Sequence, residues 1–144
     1  MISRLLFAVP LVVILSGLSL LHVYWASGGR WGSAYTVPTV SGRRMFDPSP
    51  LATWAVAGLL GISVVLVMSK VGWIRTPLPV LVDVGVWGLS LVFLLRTVGN
   101  LRSFGFFKTI KDTPFAHWDT CLYTPLSLLL ALLAAGLALM PRAL

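Results

Sequence analysis

Charged side chains are scarce in this sequence. They make up 10% of its 144 residues, and only four of them are acidic. An average soluble domain is about 25% charged and about 45–50% apolar, whereas 58% of these residues are hydrophobic. A chain with so few polar side chains cannot cover a water-soluble core, so the lipid bilayer is its expected solvent. The scarcity of charge excludes an ordinary soluble domain.

Cysteine and recognisable catalytic motifs are also scarce. The only cysteine, Cys121, cannot form an internal disulfide. The spacing of His22, His117 and Asp119 matches no zinc pattern. The sequence contains no nucleophile elbow, no phosphate-binding glycine loop and no dinucleotide fingerprint. We therefore predict no metal site, and the sequence names no cofactor.

The charge that is present is mostly positive, with a net charge of +7. In a soluble protein this excess would suggest nucleic-acid binding. Here the basic residues lie at the ends of apolar runs, where cations meet lipid headgroups. We predict membrane lipid as a partner, and no nucleic acid.

Four apolar runs are each long enough to cross a bilayer, which takes about 20 residues. The predicted spans cover about residues 5–27, 50–69, 78–97 and 121–140, with polar connectors at 28–49 and 98–120. Arg4 resembles the positive start of a signal peptide, but the run after it is long for one, so we interpret it as a retained span. The predicted fold is a single all-α domain, a multi-pass four-helix transmembrane bundle with both termini on the same side.

The distribution of basic residues and aromatic rings bears on the orientation of the bundle and on the structure of the second connector. The two long connectors carry most of the cations, which favours their placement in the cytoplasm, although Arg4 argues the reverse. Phe104 and Phe107 are three residues apart, as are Lys108 and Lys111. This spacing predicts a short amphipathic helix lying in the interface, with its lysines toward lipid phosphates. The same segment could instead form a lid.

Asp83 is an acidic residue inside the third span, where a carboxylate costs about 2.5–3.5 kcal/mol at the helix centre and less near the ends. Helical spacing places it on a stripe that should face the bundle interior: Asp83, Trp87, Ser90, Leu94 and Thr97. Two interpretations stay open. Asp83 could be a proton or ligand site, or it could form a structural ion pair with Lys70, Arg75 or Arg4.

Polar side chains from three spans converge at the end where the long connectors lie. An acid, a histidine, arginines and a phenol there predict a binding mouth walled by aromatic rings. The candidate ligand-binding residues are His22, Tyr24, Trp25, Arg96, Asn100, Arg102, Asp119 and Tyr123. His22 and Asp119 are also the candidate catalytic acid and base. A purely structural network that ties down the connectors would use the same residues.

Three segments carry a family resemblance: HVYWASGG at 22–29, GNLRSFGFFK at 99–108 and FAHWDTCLYTPL at 115–126. Together they resemble a family of small bacterial membrane proteins catalogued as domain of unknown function three-nine-nine-five. The resemblance implies a four-span bundle in a bacterial cytoplasmic membrane and implies no activity. Its motif positions in this sequence are His22, Tyr24, Trp25, Gly28, Gly29, Asn100, Arg102, Asp119, Tyr123 and Pro125; Asp83 lies outside them.

Three functions follow as hypotheses. The mouth could bind a lipid headgroup or a small amphiphile, with Arg96 or Arg102 as the partner of an anion. The chain could be an accessory subunit whose small-residue faces, such as Ala57 with Gly61, pack against a larger membrane complex. It could also be a small membrane enzyme that uses His22 and Asp119 as an acid–base pair.

Overall fold

Helices dominate the computed structural model, which describes residues 2–40 and 43–141. In chain order they are α1 (Ile2–Ala26), α2 (Pro50–Lys70), α3 (Pro79–Val98), α4 (Pro114–Trp118) and α5 (Thr124–Leu139). A π-helical turn, Asp119–Tyr123, joins α4 to α5, so Pro114–Leu139 runs as one helical stretch. This stretch and the three other long helices are each long and apolar enough to cross a membrane. The prediction of an all-α four-helix membrane bundle is confirmed.

Proline marks where three of these helices begin. Pro50, Pro79 and Pro114 each occupy the first turn, where a missing N–H costs nothing because those donors have no intrahelical partner. The side chain of Ser49 accepts a hydrogen bond from the Ala52 amide at 3.1 Å, and Thr113 caps α4 in the same way. The Thr113 cap starts the last helical stretch at Pro114, earlier than the residue 121 expected from hydropathy alone.

The helices pack as two close pairs, α1 with α2 and α3 with α5, around one core. Small side chains allow the close approaches. The Ser19 hydroxyl donates to the Ala57 carbonyl at 2.9 Å, and the Ser90 hydroxyl donates to the Ala131 carbonyl at 2.9 Å. Ala57 and Ala131 are both buried, so Ala57, one of the small residues proposed to face an external partner, packs inside the bundle itself.

Contacts between helix ends define the two ends of the bundle. At what we call the turn end, α2 meets α3 through the short turn 71–78, and the last turn of α5 lies beside them. At what we call the connector end, the first connector (residues 27–49) joins α1 to α2, and the second connector (residues 99–113) joins α3 to α4.

The first connector is held by short-range structure. It contains a 3-10 turn (Ser33–Tyr35) and two antiparallel paired strands, β1 (Thr39–Val40) and β2 (Arg43–Arg44). The indole N–H of Trp25 donates to the Trp31 carbonyl at 2.8 Å. Trp25 therefore ties the start of the connector to the last turn of α1.

The second connector folds back over the end of α3 instead of forming a helix. Gly99 has φ +82° and Gly105 has φ +88°, and a Cβ on either would overlap the backbone of the other segment. Only glycine permits this approach. The Phe106 amide donates to the Thr97 carbonyl at 2.9 Å and fixes the fold-back. The predicted interfacial helix over Phe104–Lys111 is wrong, because this backbone contact requires a turn that a helix cannot make.

Candidate functional site

The carboxylate of Asp119 lies at the centre of the connector end and is fully buried. Its Oδ1 accepts a hydrogen bond from Arg96 Nη2 at 2.6 Å. Its Oδ2 accepts one from Lys108 Nζ at 3.0 Å and one from the Gly105 amide at 2.9 Å. We call Arg96, Lys108 and Asp119 the ionic centre. It joins the end of α3, the second connector and the π-helical turn, so one carboxylate fixes three segments.

Lys108 is the second buried ion, with its side chain 4% exposed. Its ammonium group has three N–H donors. They reach Asp119, the Thr120 hydroxyl at 2.7 Å and the Gly105 carbonyl at 3.3 Å. Burying a cation is costly unless it is paired and fully hydrogen-bonded. Lys108 meets both conditions, so it is a structural ion rather than a headgroup-facing one.

Arg96 is the member of the ionic centre whose hydrogen-bond donors are not all used. Its guanidinium carbon lies 4.8 Å from the centre of the Phe104 ring, a cation–π contact. Its Nη1 is buried and has no hydrogen-bond partner among the described residues. Two cations against one carboxylate leave an excess of one positive charge. The ionic centre thus retains a donor for a water molecule or an anion.

Other contacts join the first connector to the π-helical turn and to the second connector. The Tyr123 hydroxyl donates to the Tyr35 carbonyl at 3.2 Å, and the Ser103 hydroxyl lies 3.0 Å from the sulfur of Met45. Asn100 organises the second connector, because its Oδ1 accepts hydrogen bonds from the amides of Arg102, Ser103 and Phe104. The side chain of Arg102 remains exposed.

A separate groove of about 660 Å³ lies at the same end, between α1, α2 and the first connector. We call it the His22 groove. Charged, hydroxyl and apolar side chains line it together, among them His22, Trp25, Val37, Arg44, Phe46, Asp47, Ala52, Thr53 and Val56. Tyr24 lies beside it, with its hydroxyl accepting a hydrogen bond from the Trp31 amide at 3.4 Å.

His22 has a defined hydrogen-bonding state in this groove. Its Nδ1 lies 2.7 Å from the Leu18 carbonyl oxygen, and because a carbonyl can only accept, Nδ1 carries the proton. In the neutral ring Nε2 is then an acceptor. The Trp25 ring stands edge-on to the imidazole, with 5.2 Å between ring centres, and fixes its orientation.

The predicted site residues thus fall into two groups. Arg96, Asn100 and Asp119 support the second connector, and Tyr123 bonds to the first connector. His22 and Trp25 line the groove, and Tyr24 lies beside it. His22 and Asp119 share no hydrogen bond or ion pair in the part of the chain that the structure describes. Asp119 accepts three hydrogen bonds, which leaves little of its capacity for a substrate proton. Within residues 2–40 and 43–141 no cluster of three metal-ligating side chains occurs.

Asp83 lies at the opposite end of the bundle. Its Oδ1 accepts a hydrogen bond from Lys70 Nζ at 2.8 Å, so Lys70 is the ion-pair partner among the three that the sequence left open. Ser90 and Thr97 of its predicted inward stripe are buried, but Trp87 and Leu94 are exposed. At about 100° per residue Trp87 and Leu94 lie on one side of this stripe and Ser90 and Thr97 on the other, so the stripe follows the boundary between the core-facing and outward-facing sides of α3.

Two residues of the candidate sites, Lys108 and Arg44, were not predicted as site residues from the sequence. Lys108 was assigned to the lipid interface, and Arg44 was treated only as one of several connector cations. The glycine pair Gly99 and Gly105 was the available signal for Lys108, since two glycines flanking a short segment indicate a close backbone approach. The groove depends on how α1, α2 and the first connector pack together, so no local pattern in the sequence marks Arg44 as part of it.

Comparison with known proteins agrees with the resemblance. The family model described as "Protein of unknown function (DUF3995)" matches residues 15–134. This range contains the ionic centre, the His22 groove and all three motif segments. No curated protein and no solved structure matches the chain. Because the matching model covers most of the sequence, the chain belongs to the DUF3995 family of proteins of unknown function.

Proposed function

We propose that this protein binds a lipid or a small amphiphilic ligand in the His22 groove, as a multi-pass protein of a bacterial cytoplasmic membrane. The observation that carries the proposal is the groove itself. Its volume, about 660 Å³, lies in the range of small-molecule sites, which is roughly 300–1,000 Å³. Its walls combine charged and apolar side chains, as an amphiphile requires.

The Arg44 guanidinium, in the polar part of the groove, can exchange its present partner for a ligand. The Arg44 guanidinium lies 3.5 Å from the Asp47 carboxylate, and both side chains are exposed. An exposed pair at this distance contributes little stability, about 0–1 kcal/mol. An anionic headgroup could therefore take the place of Asp47 at low cost. Nε2 of neutral His22 would accept a hydrogen bond from a headgroup hydroxyl or ammonium.

The apolar part of the groove suits an acyl chain or a ring. Trp25 comes from the last turn of α1, Val56 from α2, and Val37 and Phe46 from the first connector. These three segments enclose a path with apolar side chains on each side. A molecule with a charged head and an apolar body matches this arrangement better than a fully polar solute does.

The ionic centre supports the proposal indirectly. Arg96 and Asp119 hold the second connector, which contacts the first connector through Ser103 and Met45. We therefore assign the anion-binding role to Arg44 rather than to Arg96 or Arg102. An acid–base enzyme has less support, since His22 and Asp119 lie in separate networks.

The test is a groove-filling substitution with a matched control. Ala52→Leu places a larger side chain on the groove wall, whereas Ala55→Leu makes the same change one turn away, at an exposed position outside the lining. The leucine would occupy space that the ligand needs, so we expect Ala52→Leu to weaken binding of a fluorescent lysophospholipid about tenfold or more. Ala55→Leu should bind like the wild type.

Arg44→Gln should weaken binding of an anionic lysophospholipid more than that of a zwitterionic one, because only the anionic headgroup relies on the guanidinium. Mass spectrometry of native lipid discs would identify the bound species. Equal binding by Ala52→Leu and Ala55→Leu would contradict the proposal. A stoichiometric protein that occupies the groove would instead favour an accessory-subunit role.

A further inference from the structure

The larger cleft of the molecule lies at the turn end, far from the His22 groove. It encloses about 1200 Å³ between the end of α2, the turn 71–78, the start of α3 and the end of α5. Lys70, Arg75 and Asp83 are its charged lining residues. We call it the Arg75 cleft. Two cations and one carboxylate give its wall an excess of one positive charge.

We propose that the Arg75 cleft is a binding site for a phosphate group, carried either by a membrane phospholipid or by a small soluble phosphate ester, with Arg75 as its ion-pair partner. This inference is independent of the proposed groove function, because no lining residue is shared between the two sites.

Arg75 is the group that points to an anion. Its side chain is exposed and makes no ion pair or hydrogen bond within residues 2–40 and 43–141. A guanidinium carries five N–H donors in a planar fork that fits phosphate bidentately. The turn 71–78 places this fork on the cleft wall, so a phosphate entering the cleft meets an available cation.

The start of α3 adds partial positive charge beside the same wall. Pro79, its first residue, lines the cleft but has no N–H, and no side chain caps this helix. The Val82 amide donates to the Leu78 carbonyl at 3.3 Å, so the amides of Val80 and Leu81 are the first-turn donors without an intrahelical partner, and the helix dipole makes this end partially positive. Arg75 lies four residues before Pro79, so its charge and the helix amides act on the same region.

Lys70 supplies a second cation deeper in the cleft. Its side chain is 4% exposed, and its ammonium donates to Asp83 at 2.8 Å and to the Ala138 carbonyl at 3.3 Å. Two of its three N–H donors are thus used in the described part of the chain, which leaves one for a ligand oxygen. The pairing with Asp83 keeps a buried cation tolerable while the phosphate is absent.

The remaining walls fit a lipid phosphate in particular. Trp87 and Leu139 line the cleft and are both exposed, so glycerol and acyl carbons could pack on them while the phosphate stays at Arg75. The ends of membrane helices lie at the depth of lipid phosphates. A soluble phosphate ester would use the same charged groups but would gain nothing from Trp87 and Leu139.

The test compares Arg75→Gln with Arg43→Gln, which removes one exposed arginine at the connector end, outside both cavities. Each protein is placed in lipid discs of phosphatidylcholine containing a minor share of phosphatidylglycerol, and the lipids that remain after detergent exchange are quantified by native mass spectrometry. Because Arg75→Gln removes the charge-assisted hydrogen bonds to the phosphate, it should lower phosphatidylglycerol retention about tenfold or more. Arg43→Gln should leave it unchanged.

A second arm distinguishes the source of the phosphate. Glycerol 1-phosphate is titrated against the retained lipid. If glycerol 1-phosphate displaces the lipid at micromolar concentration from the wild type but not from Arg75→Gln, the phosphate site is supported and is assigned to a soluble ester. If glycerol 1-phosphate displaces no lipid and Arg75→Gln still loses lipid, the site is assigned to phospholipid. Equal retention by both variants, with no effect of glycerol 1-phosphate on the wild type, would overturn the proposal. The melting temperature of each variant confirms that the fold is intact, as expected for exposed positions.

Discussion

Lys108 shows how a single residue can be essential to a connector without facing a ligand. Its ammonium occupies a site closed by Asp119, Thr120 and the Gly105 carbonyl, and no donor is left over. Lys111 is only three residues away and is exposed. The two lysines therefore have different roles, although both are cations of the same polar segment.

Replacing Lys108 by methionine should destabilise the protein by about 3 kcal/mol, the lower part of the range for breaking a buried ion pair. The lower part applies because Asp119 keeps two of its three hydrogen-bond donors, Arg96 and the Gly105 amide. Denaturant unfolding in a mild detergent measures the change. Lys111→Met is the matched control and should stay within about 0.5 kcal/mol of the wild type. Equal effects of the two substitutions would refute the structural role of Lys108.

The sequence predicted Asp119 and Arg96 as members of one polar cluster but not their third partner. An apolar run is a local property of the sequence, so the four spans could be predicted from composition. Arg96 and Asp119 lie close to the ends of predicted spans, so their approximate positions could be predicted as well. The position of Lys108 depends on how the chain turns at Gly99 and Gly105. Such a turn brings together residues that sequence spacing alone does not relate, and the separation of His22 from Asp119 is likewise a property of packing.

The ionic centre depends on the fold of the second connector. It is non-helical, yet Ser103, Gly105 and Lys108 within it are buried. Its order comes from the side-chain oxygen of Asn100, the contact between Gly99 and Gly105, and the ionic centre rather than from regular secondary structure. An element of this kind should lose its structure as a unit when one of these supports is removed.

Gly105→Ala tests this element. A Cβ at this position would overlap the backbone of Gly99, and the residue has φ +88°. We expect residues 99–113 to become susceptible to protease while the four long helices keep their helical signal. Gly32→Ala is the control, because Gly32 has φ +74° but open space around its Cβ position. It should show only the cost of the left-handed conformation, about 1–2 kcal/mol. Protection of residues 99–113 in Gly105→Ala would contradict the argument.

At the scale of the whole molecule, the charged side chains of the described residues lie at or near the two ends of an apolar bundle. Leu20, Leu59, Val92 and Leu132 are among many large apolar side chains exposed on the helices between them. In water such a surface would cause aggregation, whereas in a bilayer it faces lipid tails. The ionic centre and the His22 groove lie at one end, and the Arg75 cleft lies at the other.

This arrangement predicts which parts of the chain share a side of the membrane. Single cysteines at Arg43 and Thr109 mark the two connectors, and one at Pro77 marks the turn end; all three positions are exposed. The native Cys121, also exposed, is first replaced by serine. Because successive spans alternate in direction, a membrane-impermeant maleimide added to sealed vesicles should label Arg43→Cys and Thr109→Cys from one side and Pro77→Cys only from the other. Labelling of Pro77→Cys together with the connectors would show that α2 and α3 do not both cross the membrane, and the two cavities would then face the same compartment.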